Sequence, residues 1–349
     1  MADLQATQLV DLVATTLRHL GRPNYEPLMT DIQDFTAFNN LLDDGKVVEQ
    51  NAGYGVQWDV AVNNSGTARN SGFGPSDNPR IVSSMVQAQA DWRGITADYS
   101  FLQEEVSMNS GDDEQIVDLI SQRRVACLYA IAELFENDFW GPPVAITDTV
   151  TPWGVNTWIV KNATEGFNGG APSGYTTIGL NPTTYPRWKN YTAQYTNVTP
   201  DDLVRKWRRA ARKTNFKPPV SNPQPGQSSP RYGYYTNDAV LNTLEELLQG
   251  QNENIGNDIA KYDDSVTFHR SPVKWVPLLD RDTTNPVYGI NWSKFKTKVL
   301  RGWWLKETMV ANYPGQHTMT AHFVDCRFQP ICYNRRSCFV IATGTSYPS

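Results

Sequence analysis

The sequence predicts an α+β fold. Three observations lead there. A single apolar-striped helix of seven or eight turns is expected near residues 111–140. An alternating strand at 55–62 is joined by a long polar tip to a second extended stretch at 84–101. Strand signals crowd the last third of the chain. The order is therefore helix, hairpin, long helix, mixed middle and β-rich end. Regular strand–helix alternation, the mark of a doubly wound α/β sheet, is missing.

Taken in order, residues 3–20 read as an amphipathic helix, with Leu9, Val13, Leu17 and Leu20 at helical spacing and Gly21-Arg22-Pro23 as its stop. Signals are weak from there to about residue 50. In GVQWDVAV (55–62), Val56, Trp58, Val60 and Val62 face one way and Gln57 and Asp59 the other, the pattern of a half-buried strand. The segment 63–80, NNSGTARNSGFGPSDNPR, has almost nothing to bury. Two strands joined by such a tip form an outstretched hairpin, and loops of that length in a compact domain are usually functional or mobile. The hairpin is either an arm that orders against a neighbour or a surface loop. Trp58, Phe73, Trp92 and Arg93 are its candidate subunit-contact residues, with packing inside their own subunit as the alternative.

The long helix starts behind Ser110 or Asp112 as cap, and Asp112, Asp113 and Glu114 suit its positive end. Ile116, Ile120, Cys127, Ile131 and Leu134 form its expected stripe, and Gly141-Pro142-Pro143 ends it. At 1.5 Å per residue it is a rod of roughly 40 Å. Residues 142–200 read as loop-like, with PWGVNTWIV (152–160) as a strand. A second helix begins with Thr199 as cap and Pro200 as first residue and runs to about 214. Arg205, Lys206, Arg208, Arg209, Arg212 and Lys213 make it basic, while Leu203, Trp207 and Ala210 form its buried side. That is a solvated face, or a positive patch for acidic neighbours or for phosphates without base reading. RYGYYTN (231–237) reads as a strand and DAVLNTLEELLQ (238–249) as a helix. SVTFHR, VKWVPLL, PVYGINW, FKTKVLRGWWLKE, HTMTAHFVDC and SCFVIAT supply further strands.

Chemistry-bearing patterns are sparse. The 349 residues are 40% hydrophobic and 19% charged, as in globular proteins, and long enough for one composite domain or two. A net charge of −5 disfavours sequence-specific nucleic-acid reading. The 11 Trp suit interfaces as well as a core. Cys127, Cys326, Cys332 and Cys338 have no zinc-knuckle or redox spacing and read as reduced thiols. The start of the chain lacks a signal-peptide layout, and no apolar run has bilayer length. His317 and His322, five apart, point to opposite faces of a strand, and His19 and His269 are isolated. The Gly-rich 165–175 lacks the Lys-Ser/Thr ending of a phosphate loop. Glu104 with Glu105, or Glu133 with Glu136, is the nearest thing to a glycosidase carboxylate pair. No cofactor, metal or catalytic residue is expected.

Several blocks carry a resemblance: WRGITADYSFLQEEVSMNSGDDEQIVDLISQRRVACLYAIAELFENDFWG, TPWGVNTWIVKNATEGFNGG, TYPRWKNYTAQY, RYGYYTN, NPVYGINWSKFKTKVLRG and the C-terminal FVIATGTSYPS. From about residue 50 onward the chain resembles the major capsid proteins of tailed bacteriophages. The resemblance implies the Hong Kong ninety-seven type of capsid fold. Residues 1–47 would be the N-terminal arm and 48–103 the extended hairpin loop. Residues 104–145 and 297–349 would form a peripheral domain with its spine helix near 111–140, and 146–296 the axial domain. It implies a non-enzymatic subunit that forms hexamers and pentamers of an icosahedral shell around double-stranded DNA. Scaffolding, portal and possibly decoration proteins would be its partners, the packaged DNA would be touched non-specifically, and no membrane would be involved. The location would be the virion, and the host cytoplasm during assembly. Some members join subunits through a Lys on the extended loop; here no Lys occurs from Asn51 through Ser110, so no such cross-link is expected. The alternatives are a cellular nanocompartment shell of the same fold, a tail or decoration protein, and a carbohydrate-active enzyme.

Overall fold

A computed structural model describes residues 32, 34–42, 47–62, 68, 70, 83–108, 113–214, 232–249, 266–268, 271–310 and 318–348. The expected helix at 3–20, the capping residues Ser110 and Asp112, most of the hairpin tip, and His19, His269 and His317 lie outside the described residues.

The chain enters through a short helix α1 (Thr36–Leu42) and a strand β1 (Val47–Gln50). The hairpin follows as β2 (Gly55–Ala61) and β3 (Met85–Asp91), antiparallel in a two-stranded sheet of their own. Val56 and Trp58 are buried and Gln57 and Asp59 exposed, as the alternation requires. The extended stretch at 84–101 is two strands. After Asp91 the chain continues as β4 (Arg93–Leu102), which leaves the hairpin and joins a different sheet. A helical turn, α2 (Gln103–Met108), leads to the long helix α3 (Asp113–Trp140). Its 28 residues span about 42 Å at the standard rise.

The five-stranded sheet is organised by one long strand, β13 (Met319–Cys332). Its first part is flanked by β4 and by β12 (Lys306–Val310), and its last residues pair with β11 (Phe295–Leu300). β1 adds in parallel to the far side of β11. FKTKVLRGWWLKE is therefore two strands. They are separated by a turn in which Gly302 (φ +75°) and Leu305 (φ +47°) adopt left-handed conformations.

A seven-stranded sheet holds β5 (Gly166–Gly169), β6 (Asn190–Gln194), β7 (Tyr232–Thr236), β8 (Thr267–Phe268), β9 (Ser271–Trp275), β10 (Val287–Asn291) and β14 (Phe339–Ala342). Its order is β5-β6-β14-β10-β7-β9-β8. The segment 297–349 is thus shared between sheets. β12, β13 and most of β11 build the first, whereas β14 is inserted between β6 and β10 of the second. Every residue of β14 and β10 is buried, which is why their apolar runs show no alternation.

Two expectations need correction. PWGVNTWIV is not a strand: Val155–Trp158 is a single helical turn, α4, with all four residues buried. The Asn156 amide donates to the carbonyls of Trp140 and Gly141 at the end of α3. A short, wholly buried run has no exposed side to reveal its period. Leu134 is not on the buried stripe of α3: it is 45% exposed, while Phe135 is 3% exposed. The stripe runs Cys127, Ile131, Phe135, Phe139 in steps of four, each turning about 40° around the axis. The helix changes partners along its length, from β4 to α1, which explains the rotation.

Candidate assembly surfaces

The hairpin base is fastened to its own subunit. Trp58 is 7% exposed and lies 6.1 Å from the rings of both Trp158 and Tyr333. A Cβ on Gly179 would come within 3.1 Å of the Trp58 ring, and Gly179 has φ +68°, so this approach requires glycine. The Gln89 amide donates to the Gly179 carbonyl at 3.2 Å. Arg93 is 5% exposed and donates to the carbonyls of Asp148 and Thr151 at 2.6 and 2.8 Å, with its guanidinium over the Trp153 ring. The side chains of Trp58 and Arg93 thus pack within their own chain. Trp92 is half-buried and donates from Nε1 to the Gly53 carbonyl at 2.9 Å, leaving part of its ring accessible. Phe73 lies outside the described residues.

The long helix α3 is tied near its middle and near its C-terminal end. Arg123 forms a two-pronged pair with the buried Glu105 of α2 at 3.0 and 3.2 Å, and Arg124 does the same with Glu307 of β12. Near the C-terminal end, the Glu136 carboxylate accepts the Ala37 and Phe38 amides at the start of α1 and the Trp140 indole N–H. Burial pushes the Glu136 carboxyl up, against the pull of these donors. Its distant carboxylate caps α1, a role that sequence could have suggested only from the missing polar cap before Thr36.

The carboxylates considered for glycoside chemistry are engaged structurally. Glu136 caps α1 and Glu105 holds Arg123, leaving neither pair two free carboxyl groups. Asp138 is pushed up to about 6, by burial and then by the charge of Asp148. It lines a cleft with Phe135, Trp153, Gly154 and Pro330 whose cavity volume is about 10 Å³, room for about one water. Ligand pockets run to several hundred Å³. Among the described residues no group of three or more His, Cys, Asp and Glu could hold a metal ion, and no helix is long and apolar enough to cross a membrane. His322 is stacked on Tyr99, and the four cysteines are buried and free.

The seven-stranded sheet carries two helices on one face, α5 (Arg205–Thr214) and α6 (Asp238–Gln249). The Thr199 hydroxyl accepts the Asp202 amide and opens the turn Pro200–Val204 that leads into α5. Leu203, Trp207 and Ala210 pack with Tyr234, Val240, Leu244 and Val273 into one apolar cluster. Two buried cations that composition does not reveal hold the loops of this region. Arg335, wholly buried, donates to the carbonyls of Trp158, Trp188 and Gly170 at 2.6, 3.2 and 2.5 Å. Lys161 binds Asp282, with Thr284 Oγ1 at 2.8 Å and the Ser346 carbonyl at 3.0 Å, beneath the Tyr347 ring.

This architecture has counterparts among solved structures. The chain matches the structure titled "Cyanophage A-1(L) capsid asymmetric unit" at a TM-score of 0.64 and 13% identity, over 92% of this chain and 96% of that one. It matches "Capsid of native GTA particle computed with C5 symmetry" at 0.57 and 10%, over 95% and 97%. It matches "The capsid of Myoviridae Phage XM1" at 0.51 and 12%, over 93% and 97%. No protein-family model matches the sequence, and no curated protein does. The chain has the tailed-phage capsid fold.

Proposed function

We propose that this chain is a major capsid protein, a non-enzymatic subunit that closes with its copies into an icosahedral shell. The observation that carries the proposal is the fold likeness to capsid chains over more than nine-tenths of both partners. The subunits form hexamers and pentamers around double-stranded DNA, touched without base reading. Residues 48–103 serve as the extended loop, 104–145 with 297–349 as the peripheral domain and 146–296 as the axial domain, with β14 lent to the axial sheet. On the loop, Trp92 and Phe73 are the residues left to meet a neighbour. Scaffolding and portal proteins, and decoration proteins where present, complete the particle, which forms in the host cytoplasm and leaves as the virion. Binding is spread over many weak contacts, so affinity arises from multivalency.

Electron microscopy of the purified full chain tests the assignment. Closed shells, or capsomer rings, are expected, with DNA inside when particles are made in the host. Protein cargo in place of DNA would move the chain to a nanocompartment role, and tubes or monomers would overturn the shell altogether. With no Lys between Asn51 and Ser110, the loop supplies no amine for a covalent weld. Boiled, reduced particles are expected as one band near 39.3 kDa, and a ladder of multiples would refute noncovalent closure.

A further inference from the structure

The two helices of the seven-stranded sheet carry opposite charges at opposite flanks. α5, RKWRRAARKT, has six basic residues and no acidic one. α6, DAVLNTLEELLQ, has Asp238, Glu245 and Glu246 and no basic one. Both bury their apolar stripes in the same cluster, so both turn their charged stripes to solvent. α5 lies over β6 and β14, and α6 over β9, with β10 and β7 between.

These charges are mostly unspent inside the subunit. Lys206 pairs with Asp202 and Arg209 with Glu165. Arg205, Arg208, Arg212 and Lys213 have no acidic partner among the described residues, and Glu245 and Glu246 have no basic one. Glu245 and Glu246 also sit toward the negative end of their helix, where the backbone dipole disfavours a carboxylate. A placement that local physics opposes favours a cation brought from outside the helix.

We propose that the basic face of α5 on one subunit meets the acidic face of α6 on the next copy around the capsomer. This rests on the shell assignment above and names the contact through which its rings close. A ring contact is heterologous: one flank of each subunit meets the other flank of its neighbour, so unlike charges on the two flanks favour closure and set its direction.

The test reverses one flank at a time in the full chain. R205E/R208E/R212E/K213E reverses every unpaired cation of α5 and makes both flanks acidic, and E245R/E246R makes both basic. Each alone is expected to lower the particle yield at low salt by about ten-fold or more, because like charges then face each other at every junction. An equimolar mixture is expected to recover rings, since alternating copies restore an unlike pair at each junction. Recovery favours hexamers, because a five-membered ring cannot alternate. The neutral variants R205Q/R208Q/R212Q/K213Q and E245Q/E246Q serve if a reversal fails to fold, as judged by circular dichroism: their yield should depend less on salt than that of the wild type. Normal yield from a folded reversal, a mixture no better than its components, or unchanged salt dependence in the neutral pair overturns the proposal. So do R205E/R208E/R212E/K213E particles that assemble normally but lose their nucleic acid, an outcome that assigns the basic face to DNA. A wild type that forms no ring or shell fails the capsid assignment itself, so the two failures are told apart.

Discussion

Replacing Arg335 with methionine removes the most buried cation among the described residues. Its guanidinium is 0% exposed and donates to three carbonyls within 3.2 Å, with Gly169 O and Asn190 Oδ1 at 3.4 Å. Burial pulls it down to about 10, still far above neutral, so it folds as a cation. The three shorter bonds join the end of α4, the 3₁₀ turn Pro186–Trp188 and the loop after β5. Hydrogen bonds from a charged donor contribute about 1.5–3 kcal/mol each, so the three amount to roughly 4–9 kcal/mol before dehydration of the guanidinium is charged against them. Methionine spares that dehydration but strands the carbonyls in a dry interior. A net loss of about 3–5 kcal/mol follows, because each buried acceptor left unsatisfied costs about 1–3 kcal/mol and the spared dehydration offsets part of the sum. R335K should lose about 2–3 kcal/mol, because an ammonium keeps the charge but cannot span the planar fork of acceptors. Urea unfolding of the unassembled subunit, followed by tryptophan fluorescence, reads both. A methionine variant within about 1 kcal/mol of the wild type would refute the view that these bonds hold the loops.

Two further substitutions test other buried groups. K161M should cost about 3–5 kcal/mol by leaving Asp282 buried and unpaired, whereas K161M/D282L should cost clearly less than the two single changes added; additive losses in a double-mutant cycle would remove the pair from the account. Asp138 has its folded carboxyl raised from 3.8 to about 6, so folding favours its neutral form. Its ionisation therefore withdraws stability as pH rises through about 6, and D138N should stabilise at pH 7 but not below about pH 4. Its partial exposure keeps the gain under the roughly 3 kcal/mol that a displacement of that size allows. Equal unfolding midpoints for D138N and wild type at pH 7.5 would show that Asp138 ionises freely.

Much of this fold lies on the surface of the sequence because the signal is local. The alternation of Val56, Trp58 and their polar neighbours marks β2, and Thr199-Pro200 opens the turn before α5. DAVLNTLEELLQ coincides with α6 residue for residue, because its apolar stripe is bounded by solvent on the other side. The basic residues of α5 are likewise visible in the sequence.

What the amino-acid order could not state is which strands meet and where the charges go. β14 reads as a late strand, yet only its ladders with Tyr191–Gln194 and Val287–Gly289 assign it to the second sheet. Trp92 separates β3 from β4 because each half finds a different partner, not because of anything in its own neighbours. Trp58 and Arg93 have the composition of contact residues, but Gly179, Asp148 and Thr151 take them into the subunit. Nothing local in the sequence marks Arg335 and Lys161 as buried; they are buried because acceptors 121–185 residues away converge on them. Periodicity reports whether a segment has a wet side. Strand order, the path of a stripe around α3 and the burial of a cation depend on contacts between distant segments, and these exist only once the chain has closed on itself.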